Sequence, residues 1–340
     1  MFHGLCSYEL VTVAQYKKNN SNVKLYADSH DDKNNSAKDW ISKNILHKIF
    51  YKNIIKKAYK YIDKIFYITY ETKVFLKEIY DIDEEKMEFY PLGGYIFSEE
   101  KRNENRTKIR KQLGIKEKDI LLVHTGKLSE SKRTEELLEA FLNVYDKKLK
   151  LVIIGSIPEE QKIILEELMQ MDDRISYLGW KRPDELLKYL CACDLYVQPG
   201  SQSATMQNAL CCGSAALLYP HQSHIHLLGD SVFYVKTVND MVKVFQSISE
   251  NPDQLENKRL QSYKIAKEKL DYILLTGSES RIWYLKEAFQ DYFQTQVAAI
   301  DEFNIDLIEN PNTDIKYFEY LNAIGFAFRG LDGAQIKSYS

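Results

Sequence analysis

The chain is 340 residues long, 44% hydrophobic and 28% charged, with a formal net charge of −3. That composition is globular and supplies apolar mass for one large or two ordinary cores, and the near-neutral balance excludes a molecule-wide nucleic-acid footprint. No apolar run reaches the ~18 residues of a membrane-spanning helix, Met1 to Leu5 lacks the length and basic start of a signal peptide, and the five cysteines lack zinc-ligand spacing, which points to reduced thiols in a cytoplasmic setting.

Met1 to Leu5 reads as a short strand, Tyr8 to Lys18 as a helix, and Val23 to Ala27 as the next strand, ending at Asp28-Ser29-His30-Asp31-Asp32. Taken alone, His30 fits either a polar contact at a cleft or a turn cap beside Asp28 and Asp31. From Lys38 to Lys64, eight lysines stand against only Asp39 and Asp63, interleaved with Trp40, Ile41, Ile45, Leu46, Ile49 and Phe50. Positions 41, 45, 49, 55 and 59 share one helical face, with lysines largely opposite. The expected arrangement packs that apolar face on a sheet and leaves a basic face in solvent, weakly attracted to an anionic membrane surface at ~1 kcal/mol per basic side chain.

Asp63 to Thr69 is a strand and Glu71 to Tyr80 a helix, after which Pro91, Gly93 and Gly94 break regular structure. A domain boundary is expected near residue 95. Glu99 to Lys118 reads as a charged linker with a helix from Thr107 to Leu113. From Asp119 the alternation is regular: strands at Ile120 to Thr125, Leu149 to Ile154, Ile175 to Leu178, Leu195 to Gln198 and Ala215 to Tyr219, with a helix after each of the first four. Such spacing predicts an α/β fold with a parallel, doubly wound sheet. A short strand at Val232 to Val235 and helices at Val238 to Glu250, Pro252 to Leu270 and Glu279 to Phe293 follow, with two short helices expected around Ala298 and at Lys316 to Ala323.

Two strand–loop–helix stretches carry the chemistry. In the first, Ile120 to Thr125 leads through Gly126, Lys127 and Lys132 into a helix containing Leu137, Leu138 and Phe141. In the second, Leu195 to Gln198 leads through Ser201 and Ser203 into a helix that would begin at Ser203, an N-cap exposing the N–H groups of Ala204 and Thr205. Beyond parallel strands, a helix N-terminus and two lysines suit an anion such as a diphosphate. The residues alone also fit a solvated loop and an ordinary capped helix. His221, His224 and His226 read as cleft-lining polar residues, since no aspartate or cysteine joins them to complete a metal set.

The string Gly126-Lys127-Leu128-Ser129-x-x-Lys132-x-x-x-x-Leu137-Leu138-x-Ala140-Phe141 resembles the donor-diphosphate loop of the family-4 retaining glycosyltransferases (glycosyl transferases group 1). The resemblance runs from residue 1 to about 290 and is strongest over 119 to 220. It implies the GT-B fold, two Rossmann-like domains: a partial acceptor-side domain over 1–95, a nucleotide-sugar-binding domain over 96–280, a crossover helix over 281–295 and a tail over 296–340. The N-terminal domain would lack about three β-α units. Lys127 replaces the usual arginine, which keeps the charge and loses the bidentate fork. The family's pair of glutamates departs too: the second position is Asn208 and the first has no acidic residue. Carried over position by position, Lys127, Lys132 and His30 would be catalytic, His30 contacting the donor sugar, while Gly126, Ser201, Ser203, Ala204, Thr205, Asn208 and Trp180 would bind the donor.

The implied function is a retaining, metal-independent hexosyltransferase using a UDP- or GDP-linked donor and a saccharide or polyprenyl-linked acceptor in surface polysaccharide synthesis. It would need no cofactor, bind no nucleic acid and work in the cytoplasm, peripherally on the inner face of the membrane. The alternative is a catalytically impaired nucleotide-sugar-binding remnant, or a subunit of a polysaccharide assembly complex.

Overall fold

The computed structural model describes residues 2–270 except residue 34, with the backbone of 272–275 and 296–299. Contacts divide the chain into two compact units, one built on Met1–Leu92 and one on Gly93–Asp271.

In the first unit β1 (Phe2–His3), α1 (Glu9–Asn19), β2 (Tyr26–Ser29), α2 (Lys52–Ala58), β3 (Lys64–Tyr67), α3 (Tyr70–Tyr80) and β4 (Met87–Phe89) alternate. The four strands are parallel and lie in chain order, β1-β2-β3-β4. Leu5, Leu10, Ala27, Ile55, Ile65 and Phe75 are all buried in its core. Thr69 starts α3 by accepting the Thr72 N–H, and Asp81 ends it in the left-handed region at φ 56°.

The structure corrects the reading of the lysine-rich segment. Ser42–Tyr51 is a π-helix that runs directly into α2, and Ile41, Ile45 and Ile49, expected to pack inward, are exposed. The buried stripe is His47, Ile54, Ile55 and Ala58. Its leading member is polar: His47 meets the Tyr80 hydroxyl through Nδ1 at 2.5 Å and donates through Nε2 to the Ser36 carbonyl at 3.2 Å. A buried histidine with both ring nitrogens engaged fixes the inward face, so the aliphatic residues beside it turn outward.

In the second unit the elements are α4 (Glu99–Gln112), β5 (Ile120–Lys127), α5 (Thr134–Leu142), β6 (Leu149–Ser156), α6 (Glu159–Gln170), β7 (Ile175–Tyr177), α7 (Pro183–Ala192), β8 (Leu195–Gln198), α8 (Thr205–Cys211), β9 (Ala215–Leu218), α9 (Gln222–Leu228), β10 (Phe233–Tyr234), α10 (Val238–Glu250) and α11 (Asp253–Lys269). The expected linker over Glu99 to Lys118 is mostly helix. Ser98 caps α4 by accepting the Lys101 N–H, two glutamates open it, and Arg110 and Lys111 close it. Strong helix formers with charges matched to the dipole hold a helix there without an apolar stripe.

The sheet order is β10-β9-β8-β5-β6-β7, all parallel. Alternate residues of each central strand feed opposite cores: Leu122, Leu151, Leu195 and Leu217 one, Val123, Val152, Tyr196 and Leu218 the other. Both faces are therefore covered, which is why the strands read as continuous apolar runs. At the amino ends of the strands Asp194 is a polar strut. Its Oδ2 accepts the Leu121 N–H at 2.7 Å and Arg110 at 2.8 Å, and its Oδ1 accepts Arg106 at 2.6 Å.

Beyond the second unit β11 (Tyr272–Leu275) and β12 (Gln296–Ala299) pair in parallel, so the helix expected around Ala298 is a strand, its backbone groups satisfied by the neighbouring strand and not within one turn. The helices expected at Glu279 to Phe293 and Lys316 to Ala323 lie outside the described residues. Among the described residues, no helix is long and apolar enough to cross a membrane.

Candidate active site

In the second unit the chain winds outward through β5, β6 and β7, then returns to begin β8 on the other side of β5. That reversal between β5 and β8 is where open parallel sheets place ligands, beyond the carboxyl ends of the strands. The loops of residues 128–133 and 199–204 flank it.

Three glycines let these backbones approach. Gly126 and Gly155 are register partners with φ 131° and 153°, and a Cβ on Gly155 would fall 1.8 Å from the Gly126 carbonyl oxygen. A Cβ on Gly126 would meet Lys132 Cε at 3.3 Å, so the lysine side chain passes over this residue. A Cβ on Gly200 would sit 2.2 Å from the Ser131 carbonyl oxygen. Lys132 then crosses the switch point: its ammonium donates to the carbonyls of Ser201 and Gln202 at 3.2 and 3.3 Å, while the Ser201 N–H returns a bond to the Ser131 carbonyl at 2.8 Å. Lys132 is only 9% exposed, and burial lowers its pKa from the ordinary lysine value. Its partners are neutral carbonyls, so the charge is solvated by dipoles, and among the described residues no carboxylate pairs with it.

Two further residues hold the loops, and neither was singled out from the sequence. Arg133 sits in the left-handed region at φ 57° and donates to the carbonyls of Pro199 and Lys236, at 3.3 and 2.9 Å, and to Glu136 at 3.0 Å. His124 is fully buried under the site. Its Nδ1 donates to the Val197 carbonyl at 2.7 Å, which leaves Nε2 to accept the Thr134 hydroxyl at 2.9 Å at the start of α5. Burial, the main cause, lowers its pKa to about 4, so the ring is neutral near pH 7. A lone titratable residue inside the buried part of a strand is the signal that marks His124; nothing local marks Arg133. Beside them Tyr196 reaches the Thr125 hydroxyl and Gln198, and Gln198 donates to the Ser201 carbonyl.

The residues expected in the site divide into groups. Gly126, Lys132 and Ser201 meet at the switch point. Lys127 ends β5 with an exposed side chain. The helix expected to start at Ser203 starts at Thr205, and Ser203 Oγ accepts the Thr205 N–H at 3.2 Å. That donor is consumed by a local turn, a preference of serine just before a helix, so it is not held out to a ligand. Ala204 is exposed. The Asn208 side-chain oxygen accepts the Tyr95 N–H at 3.2 Å, so the acceptor expected to face a ribose is shared with backbone.

Trp180 is 67% exposed on the loop after β7. The three histidines lie at the start of α9 and within it, not in an open loop: His221 donates to the Gly200 carbonyl at 3.0 Å and His224 to the Tyr219 carbonyl at 2.8 Å. His30 belongs to the first unit, just beyond β2, with Nε2 3.6 Å from Asp28; His3 is 2.9 Å from the same carboxylate oxygen. Burial pushes the Asp28 pKa up, but hydrogen bonds from His30, His3 and the Gly4 N–H outweigh it and hold the carboxyl below its ordinary value. Among the described residues, His3, Asp28 and His30 are the group spaced closely enough to share a metal ion.

Residues 105–269 match the family described as Glycosyl transferases group 1. Alpha-monoglucosyldiacylglycerol synthase of Streptococcus pneumoniae is 23% identical over 210 residues, covering 59% of this chain and 46% of that protein. N-acetyl-alpha-D-glucosaminyl L-malate synthase of Bacillus anthracis is 27% identical over 112 residues, covering 32% of this chain and 29% of that protein. The matched stretches thus span less than half the length of either curated relative. Among solved structures, Anabaena HepE in complex with UDP has a TM-score of 0.62 at 15% identity, covering 78% of this chain and 73% of that one. WaaG, a glycosyltransferase involved in lipopolysaccharide biosynthesis, has a TM-score of 0.55 at 15% identity, covering 75% of this chain and 76% of that one. At such identities these likenesses establish the fold, which is GT-B.

Proposed function

Residues 105–269 form a glycosyl transferases group 1 domain, and from that premise we propose that the chain moves a hexose from a UDP- or GDP-linked donor to a saccharide or polyprenyl-linked acceptor, with retention of configuration. The observation that carries this is Lys132: a buried ammonium held across the switch point by two carbonyls, where a donor diphosphate would sit. HepE complexes with UDP and with UDP-glucose support a nucleotide sugar as donor.

Catalysis is then mainly electrostatic. The anomeric C–O bond to the diphosphate breaks, the acceptor oxygen bonds to the same carbon, and the departing diphosphate oxygen takes the acceptor proton. Lys132 from within and Lys127 from the strand end stabilise the charge building on the diphosphate. Two cations at the leaving group call for neither a metal nor a cofactor. Gly126 gives Lys132 its path, the loop of Ser201, Ser203, Ala204 and Thr205 lines the diphosphate, Asn208 faces the ribose, and Trp180 borders the base. The likeness to a monoglucosyldiacylglycerol synthase and to a lipopolysaccharide glycosyltransferase supports a role in surface glycoconjugate synthesis.

One observation favours a second reading, a nucleotide-sugar-binding remnant or assembly subunit: the acidic pair is absent, and the side-chain oxygen of Asn208 is already bonded to Tyr95. A thermal-shift panel with UDP, GDP, ADP and CMP, followed by transfer assays with sugar conjugates of the nucleotide that binds, separates the two. A ligand at 100 times its Kd stabilises by ~2.7 kcal/mol. Transfer in the wild type, reduced about 100-fold in Lys132→Ala, supports the enzyme. Binding without transfer supports the remnant, and no binding by any nucleotide overturns both.

A further inference from the structure

The outward face of the π-helical segment in the first unit has no role in the chemistry above. Trp40, Ile41, Ile45, Leu46, Ile49 and Phe50 are 40–70% exposed within eleven consecutive positions. A π-helix widens the turn beyond 3.6 residues, so residues four and five apart come onto one face. Ile41, Ile45, Leu46, Ile49 and Phe50 therefore form a single outward stripe. The segment is fixed and not free to roll this stripe inward. His47 anchors it to the Tyr80 hydroxyl and the Ser36 carbonyl, with the rings of Phe75 and Tyr51 edge-on at 5.2 and 5.1 Å.

The charges around the stripe identify its occupant. Lys38, Lys48, Lys56 and Lys57 are exposed and Lys43 half-exposed, with Asp39 the one acidic residue between positions 38 and 62. Lys52 differs from these, being paired with Asp81 at 2.6 Å. Protein–protein interfaces are depleted in lysine around their apolar centre. A stripe of Trp, Phe, Ile and Leu flanked by lysines is instead the composition of a segment lying in the plane of a lipid interface.

We propose that residues 38–57 dock the first unit on an anionic lipid bilayer, with the 41/45/46/49/50 stripe and Trp40 entering the headgroup–acyl boundary and the lysines meeting lipid phosphates. This deepens the transferase reading by naming the surface on which a lipid-linked acceptor is met, but its test requires no turnover. Insertion runs along the stripe, so docking has an apolar and an electrostatic part, each removable separately.

The test is co-sedimentation of the whole chain with vesicles of phosphatidylcholine, alone and with 30 mol% phosphatidylglycerol. The wild type binds the anionic vesicles, and lipids brominated near the headgroup quench its fluorescence; Trp40→Phe abolishes that quenching. Neutralising Lys43, Lys48 and Lys56 to Gln weakens partitioning about 100-fold, roughly fivefold per lysine. Ile45→Ser with Ile49→Ser and Phe50→Ser also lowers partitioning, at unchanged thermal stability because these side chains are exposed. Equal binding to neutral and anionic vesicles, or unchanged binding by the serine variant, overturns the proposal. So does a dimer in sedimentation velocity without lipid that the serine variant dissolves, which would make the stripe an interface between copies. Loss of vesicle binding with transfer to a soluble acceptor intact leaves the transferase reading standing, and the reverse outcome leaves the docking surface standing.

Discussion

Lys132 Nζ and the Ser201 carbonyl oxygen lie 3.2 Å apart across the line where the strand order reverses. Burial lowers this lysine's pKa, and among the described residues neutral carbonyl dipoles answer its charge. The unfolded chain therefore takes up the proton more readily than the folded one, and stability of the ligand-free protein rises with pH through the window below the ordinary lysine value. A diphosphate reverses that balance by supplying a full counter-charge. At alkaline pH, where the depressed pKa is approached, nucleotide binding is accompanied by proton uptake, and affinity falls as pH rises further, by at most tenfold per pH unit. Titration calorimetry of the nucleotide in two buffers of different ionisation enthalpy measures the uptake. In Lys132→Arg, whose guanidinium stays charged, the pH dependence flattens; an unchanged slope would place the titrating group elsewhere.

Gly155→Ala tests the close contact under the site. The added Cβ would fall 1.8 Å from the Gly126 carbonyl oxygen, at a φ of 153° that L residues rarely adopt. Backbone must move, and stability falls by roughly 3 kcal/mol. Because Gly126 carries the path of Lys132, nucleotide-induced stabilisation falls with it. Gly114→Ala, at the end of α4, is the control, a positive-φ glycine with no atom within 4 Å of its Cβ position; it is strained but leaves nucleotide binding intact.

What the sequence made legible follows from where the signal is local. Strands buried on both faces are apolar runs, so the order of alternation from Ile120 onward could be read directly, whereas Lys132 was marked by the resemblance of its loop to the donor-diphosphate motif. Only the second half of α4, from Thr107, was read, because the evidence for its start is a cap and matched terminal charges, not an apolar face. Within the 38–64 segment Ile55 faces inward as read, but positions 41 to 49 were read inside out because aliphatic residues were taken as the inward marker, whereas His47 is the anchor and its partner Tyr80 lies 33 residues away. Ser203 shows the limit at the site: its capping chemistry was visible, but a helix starting two residues later turns the same hydroxyl onto the Thr205 N–H. Arg133 was invisible, since its role is defined by carbonyls 66 and 103 residues distant.

Asp194 predicts a stability effect at the opposite end of the strands. Its carboxylate joins the Leu121 N–H, Arg106 and the 5%-exposed side chain of Arg110. Asp194→Ala leaves a buried guanidinium without its counter-charge and costs roughly 4 kcal/mol, the size of breaking one partner out of a buried pair. Arg106→Met, at a more exposed site, costs about 1 kcal/mol. Chemical denaturation of the two variants gives the comparison, and equal losses would show that the Arg106 contact alone accounts for Asp194 and that Arg110 does not depend on it.

His124 sets an acid limit on the site. Its folded pKa of about 4 lies below the ordinary 6.5, so the unfolded chain binds the proton first. The associated stability is fully present above about pH 6.5 and is lost as pH falls towards 4, amounting to about 3 kcal/mol over that window. The neutral ring donates to the Val197 carbonyl and accepts from Thr134. Protonation removes the second bond, places a charge facing Lys132 and loosens the start of α5. Denaturation midpoints of the wild type between pH 7 and 4 should therefore fall more steeply than those of His124→Gln, which keeps a donor and an acceptor without a proton to gain. At pH 7 the variant is the less stable of the two because its amide fits the cavity poorly; by pH 4 the gap narrows or reverses. Parallel pH profiles for the two proteins would remove His124 as the acid-sensitive group beneath the switch point.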